Sequence, residues 1–227
     1  MSAEPERTKG DRAQNPDPLL VACALRIEQA ALRSAGPGAV RGHSLLRTGM
    51  GPRAAERAVA RALDRPGMDR AAVLATGFCA GLVPGMHPGD LVVAEETRDL
   101  QGAVTCTGTA LLAAALARAA PGRTVHTGAL TGSDHVVRGQ ERAQLRATGA
   151  IAVDMESAAT LWTATRGGPS PGGGRRPVAA VRVIVDAPEH ELVRIGTVRG
   201  GISAFRVLRA VVPAFYEWHR SLLLPRR

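Results

Sequence analysis

Short apolar runs alternate along this chain with alanine- and arginine-rich stretches of helical character, and that alternation limits the possible folds more than any single motif. Residues 19–25, 43–48, 71–76, 91–94, 124–130, 151–153 and 177–185 read as strands, several ending on Gly, Asp or Thr. Residues 26–35, 52–64, 107–120, 140–148, 154–162 and 197–218 read as helices. Pro52 suits the first helical position, and Pro213 predicts a kink inside the last helix. Strands alternating with helices imply an α/β layered domain with helices on both faces of the sheet. No internal repeat and no linker divides the core, so residues 18–227 are expected to form one domain. Residues 1–17 are polar and charged, and are expected to be a disordered tail.

Composition narrows the class. Hydrophobic residues make up 45% of the 227 positions but aromatics only 3%, so the core must be built from Ala, Val and Leu. No run reaches the roughly 20 apolar residues of a membrane span, and the N-terminus lacks the apolar stretch of a secretory signal. Cys23, Cys79 and Cys106 have no metal-ligand spacing and fit reduced thiols, so a cytoplasmic location and no metal are expected. The net charge of +9 is carried by arginine, Lys9 being the only lysine. The arginines are scattered and not interleaved with aromatics, which argues against nucleic acid as a partner. Transient contact with an anionic membrane surface stays open.

Candidate chemistry lies at strand ends. Open α/β sheets bind ligands beyond the carboxyl ends of their strands, and Glu28, Thr76-Gly77, Ser133-Asp134, Asp154, Glu156 and Asp186 all fall at such ends. The stretch Ile151-Ala152-Val153-Asp154-Met155-Glu156-Ser157 meets two carboxylates as a strand gives way to a helix. Glu156 there can accept hydrogen bonds from the vicinal hydroxyls of a ribose. The same acids also fit a plain N-cap and a first-turn acid favoured by the helix dipole. There is no G-x-G-x-x-G after the first strand, no Walker loop, no H-E-x-x-H and no G-x-S-x-G. His43, His87, His126, His190 and His219 read as surface or loop residues; His135, beside Asp134, is the histidine placed to reach a pocket.

Four segments taken in order resemble the nucleoside phosphorylase and nucleosidase superfamily. They are Ala24-Leu25-Arg26-Ile27-Glu28; Thr76-Gly77-Phe78-Cys79-Ala80-Gly81-Leu82 with Pro88-Gly89-Asp90-Leu91-Val92-Val93; Val153-Asp154-Met155-Glu156; and Val181-Arg182-Val183-Ile184-Val185-Asp186. The resemblance covers residues 18 to 218 and is nearest the methylthioadenosine/adenosylhomocysteine nucleosidases. It implies a three-layer α/β/α sandwich with a central mixed β-sheet, no cofactor, a small-molecule purine nucleoside as substrate and a homo-oligomer, usually a dimer.

The resemblance also implies roles. Glu156 would hold the ribose hydroxyls, with Met155 packed on the sugar. Asp186 would be the general acid that protonates the purine near N7, its proton retained by burial. Glu28 would activate water, against the alternative of a solvated helix residue. Bacterial phosphorylases of the superfamily carry arginines at the positions matching Glu28 and Ala75, where they grip phosphate. A carboxylate and a methyl group here favour hydrolysis, with Arg47 or Arg53 as the remaining candidates for a phosphate contact.

Related nucleosidases have serines where this chain has Phe78 and Val185, and an aromatic base-stacking residue where it has Val136, followed by Val137. A greasier pocket is expected. The chain is similar to the hopanoid-associated members, which implies release of adenine from adenosylhopane, a nucleoside with a lipid 5′ substituent, leaving ribosylhopane. The alternatives are a phosphate-dependent purine nucleoside phosphorylase and a methylthioadenosine/adenosylhomocysteine nucleosidase. Cys79 is expected to pack in the Thr76–Leu82 loop without acting as a nucleophile.

Overall fold

The computed structural model describes residues 18–35, 43–166, 175–188 and 197–224, with side chains of the last segment described from Ser203 onward. The expected N-terminal tail and His190 lie outside the described residues. The elements run β1 (Leu19–Cys23), α1 (Arg26–Arg33), β2 (His43–Arg47), α2 (Pro52–Leu63), β3 (Ala72–Gly81), β4 (Leu91–Asp99), β5 (Gly102–Thr105) and α3 (Thr109–Ala119). They continue with β6 (Val125–Gly132), α4 (Gln140–Ala147), β7 (Ala150–Asp154), α5 (Ser157–Arg166), β8 (Val178–Asp186), α6 (Thr197–Ala210) and α7 (Val212–Leu222).

The sheet is mixed, as expected. Its order is β2-β1-β3-β7-β6-β4-β5, and β8 pairs with both β3 and β4. β8 runs parallel to β3 and antiparallel to β4. β3 also meets β7 at Ala80 and Gly81, and β7 continues through β6 back to β4. The pairing therefore closes a circuit β3-β8-β4-β6-β7, which the strand pattern did not reveal.

Side chains alternate across this sheet with period two, so each strand feeds two cores. Leu19, Val21, Leu74, Val93, Val181 and Val183 face the core that holds Leu112 and Leu116 of α3 and Phe215 and Trp218 of α7. Leu20, Val73, Val92, Ala180 and Ile184 face the other, with Ala62 of α2 and Leu161 of α5. These are the helix layers of the sandwich. Scarce aromatics go where they matter: Trp218 is buried and its Nε1–H donates to the Thr107 carbonyl at 2.8 Å.

Several boundaries differ from the sequence expectation. β3 runs on past Gly77 to Gly81 because β8 pairs it throughout, with a register shift at Cys79/Ala80; Cys79 thus lies in a strand, not a loop. β4 continues to Asp99 and turns back as β5, an unforeseen hairpin whose charged residues show no apolar alternation. The expected single helix from 197 to 218 is two helices, and Pro213 sits in the first turn of α7, where its missing N–H is not needed. His219 and His43 were expected at the surface. His219 is 4% exposed, and the His43 ring stacks on Tyr216 at 4.2 Å.

Candidate active site

A cavity of about 270 Å³ opens where β1, β3, β7 and β8 end, and Glu28, Phe78, Val136, Val137, Met155, Glu156 and Asp186 all line it. The four sequence segments, separated by up to 158 positions between Glu28 and Asp186, thus converge on one crevice.

Glu28 is held by backbone. It sits in the first turn of α1 and turns back over the helix start, so that Oε2 accepts from Ala24 N at 2.9 Å and Leu25 N at 2.8 Å. Oε1 accepts from Phe78 N at 2.8 Å across the gap to β3. The residue is 2% exposed, which disposes of the solvated-helix alternative. Gly77 makes this approach possible: a Cβ there would lie 2.4 Å from Glu28 Oε1 and 2.6 Å from an Arg182 nitrogen. Its φ of 138° also lies where side chains are rarely tolerated.

The two acids of the β7–α5 junction divide as their positions suggest. Asp154 caps α5 by accepting from Ser157 N at 3.1 and 3.3 Å. Glu156 is buried, and its Oε1 accepts from Gly51 N at 2.8 Å. Burial pushes the Glu156 carboxyl above its ordinary range; Arg182 opposes the shift and Asp154 adds to it.

Arg182, which the sequence reading quoted only as part of a strand motif, organises this corner. Its side chain and that of Asp154 are each 1% exposed and pair at 2.6 Å. Nε donates to Ser157 Oγ and Nη1 to the Thr76 carbonyl, both at 2.9 Å. Burial works against its charge, but Asp154, Glu156 and Glu28 outweigh it and hold the guanidinium charged. The signal was present: an arginine inside a strand that is otherwise apolar needs a buried anion.

Asp186 ends β8 and forms an ion pair with Arg142 of α4, whose Nη2 donates to Oδ2. Arg142 Nε also donates to the Val137 carbonyl at 3.4 Å. The sequence reading did not foresee this guanidinium beside Asp186. Val137 is buried in a small cluster with Leu82 and Val153, while Val136 is 59% exposed at the rim. His135 reaches the cavity wall, its ring bridging Asp134 at 2.7 Å and Glu141 at 3.0 Å. Those two hydrogen bonds raise its pKa. Cys79 lines the cavity as a deeply buried thiol whose pKa burial pushes up, so it is held protonated and is a poor nucleophile.

Arg47 and Arg53 are exposed and do not line the cavity; among the described residues the arginine that does is Arg142. No group of three His, Cys, Asp or Glu among the described residues is arranged to hold a metal ion. No described helix is long and apolar enough to cross a membrane.

Comparison with known proteins agrees with this architecture. The family model of the phosphorylase superfamily matches residues 39–213. The fold is similar to the 5′-methylthioadenosine/S-adenosylhomocysteine nucleosidase of Neisseria meningitidis, solved with methylthio-immucillin-A: TM-score 0.67, 21% identity, 86% of this chain and 98% of that one. The Streptococcus pneumoniae nucleosidase with a transition-state inhibitor gives 0.65 and 20%, over 87% and 99% of the two chains. That of Colwellia psychrerythraea with adenine gives 0.66 and 19%, over 88% and 96%. A search among curated proteins found no match to the sequence.

Proposed function

The chain belongs to the phosphorylase superfamily, and we propose that within it the protein is an N-ribosyl hydrolase that releases adenine from a 5′-modified adenosine. The observation that carries this reading is the cavity itself, which gathers Glu28, Glu156 and Asp186 with no uncommitted cation beside Glu28 among the described residues. Phosphorolysis needs positive charge to hold phosphate against the ribose. Arg182 is taken up by Asp154, Ser157 and the Thr76 carbonyl, and Arg142 through its Nη2 by Asp186.

In this reading the ribose lies against Met155 with its hydroxyls on Glu156, and water sits by Glu28. Glu28 needs no large motion to take a proton, because three backbone N–H groups already fix its carboxylate. Cleavage develops oxocarbenium character at C1′ and negative charge on the base. The first is met by surrounding carboxylates; the second falls at Asp186, the purine end. No cofactor takes part in such a hydrolysis.

The substrate's 5′ group is the finer part of the proposal. Phe78, Val185, Val136 and Val137 make the lining apolar, in keeping with adenosylhopane as substrate and ribosylhopane as product. A second cavity of about 310 Å³ shares His135 and Met155 with the first and gives a bulky 5′ group room beside the ribose position. We extend the reading to a cytoplasmic homodimer whose net charge of +9 favours brief contact with an anionic membrane surface, where such a lipid resides.

The test is chromatography of free adenine from adenosine, methylthioadenosine and adenosylhopane, each with and without phosphate. Release independent of phosphate and fastest on the lipid nucleoside supports the proposal. Strict phosphate dependence overturns the hydrolytic part, and preference for methylthioadenosine overturns the lipid part.

A further inference from the structure

A cavity of about 750 Å³ lies away from the candidate active site, between β5 and the C-terminal half of α5. Val178, the first residue of β8, lines it, while Asp186, the last, lines the candidate active site. At about 3.3 Å of rise per residue the two lie roughly 25 Å apart along one strand.

The lining of this second site holds Arg166, Arg175 and Arg176 but no Asp or Glu. Arg176 is committed, its guanidinium donating to the carbonyls of Ala164, Met68, Ala71 and Asp69 at 2.7 to 3.1 Å. Arg166 and Arg175 are exposed, and their guanidinium groups form no ion pair or hydrogen bond with a described residue. Cys106 adds no negative charge, because burial pushes its thiol up to about 12. Glu96, which acts on Cys106, is paired with Arg98 at 3.5 Å, and Asp69 acts on Arg176. A cleft lined by one sign of charge concentrates ions of the other.

A neutral donor is waiting as well. Trp162 lines the cavity, and its Nε1 is buried with no hydrogen-bond partner among the described residues. An indole N–H can only donate, so the atom calls for an acceptor. The Arg166 guanidinium lies 5.9 Å from the centre of the same ring, within cation–π range.

We propose that this cavity binds a phosphate ester, with its phosphate on Arg166 and Arg175 and its organic body against Trp162, Val104 and Val178. The planar fork of arginine matches phosphate oxygens. A phosphate monoester also brings three acceptor oxygens and up to two charges, enough for both guanidinium groups and the indole N–H. The volume falls within the roughly 300–1,000 Å³ of small-molecule pockets. The ester comes from solution or from a lipid headgroup, since both present the same group. The site is separate from the nucleosidase chemistry, and neither depends on the other.

Calorimetric titration of the full chain with phenyl phosphate is the test, with phenol as the uncharged counterpart and excess adenine to occupy the candidate active site. The expected result is saturable binding of phenyl phosphate, undisturbed by adenine and absent for phenol. Arg166→Met and Arg175→Met each weaken it about 10-fold or more, the size of a lost charge-assisted hydrogen bond. Trp162→Phe, which keeps an aromatic ring and loses the N–H, weakens it too. Arg209→Met removes an equal charge from α6, on the other face of the sheet, and leaves binding unchanged. Sedimentation with phosphatidylglycerol vesicles, set against phosphatidylcholine vesicles, separates the sources. Vesicle binding that Arg166→Met/Arg175→Met abolishes supports the proposal with a headgroup as the source; phenyl phosphate binding without it supports a soluble ester. Binding of neither probe, displacement by adenine, or an equal loss in Arg209→Met overturns the proposal.

Discussion

Arg182 of β8 and Asp154 of β7 pair at 2.6 Å with both side chains 1% exposed, and the carboxylates of Glu156 and Glu28 also act on the same guanidinium. One buried cation thus lies among three acids, two of them the groups proposed to handle ribose and water.

Replacing Arg182 with Met should therefore cost stability and activity together. Breaking a buried pair by removing one partner leaves an uncompensated charge, which typically costs about 3–5 kcal/mol. Urea unfolding followed by circular dichroism is the measurement. A loss below about 1 kcal/mol would show that the corner does not depend on its cation.

Gly77→Ala separates space from charge. The added methyl would approach Glu28 Oε1 to 2.4 Å, and three backbone bonds keep Glu28 from swinging away. The expected result is a fall in kcat/KM of roughly 100-fold, as a misplaced catalytic group gives. Unchanged kinetics with adenosine as substrate would mean that Glu28 is not held where catalysis needs it.

Glu28→Gln tests the proposed base. An amide cannot take the water proton, and loss of a general base typically lowers kcat by about 10²- to 10⁴-fold. Its NH2 would also face one of the N–H donors that now bind the carboxylate, so some stability is lost too. Single-turnover adenine release reads the first effect and thermal melting the second. Retention of more than a tenth of the wild-type rate would remove Glu28 from the mechanism.

How much of this was legible in the sequence follows from physical range. The layered α/β class was readable because strand and helix periodicities are local. So were Glu28, Asp154, Glu156 and Asp186 as strand-end acids. The N-cap reading of that junction was legible too, since a carboxylate three residues before Ser157 can reach its N–H, as Asp154 does. What escaped was set by contacts distant in sequence. Arg142 lies 44 residues from Asp186 and sits in a helix rich in arginine and glutamine, where nothing local marks it as buried. The β3–β7 pairing that closes the circuit spans only Ala80–Gly81 and Val153–Ala152, too short to leave a pattern. The second half of β4, Glu95-Glu96-Thr97-Arg98-Asp99, is polar and gave no strand signal for the hairpin to β5.

The pH dependence of stability can be assigned to Glu156. Its folded-state pKa lies above the ordinary value of 4.5, chiefly because burial disfavours the charge. A raised carboxyl pKa means that the folded state binds the proton more tightly than the unfolded chain. The stabilising contribution is complete below the unfolded value and is lost as pH rises through the folded one. Glu156→Gln keeps an oxygen for the Gly51 N–H and carries no charge at any pH. Its stability relative to wild type should therefore increase as pH climbs from about 4.5 through the raised value of Glu156, then level off. Affinity for the ribose should move the other way, because an amide offers the vicinal hydroxyls one acceptor oxygen in place of two, so KM rises about 10-fold or more at neutral pH. Melting temperatures of both proteins from pH 4 to pH 8, set beside KM at each pH, check the two together. A stability difference that stays flat over this window would mean that Glu156 is not the group whose charge the fold resists.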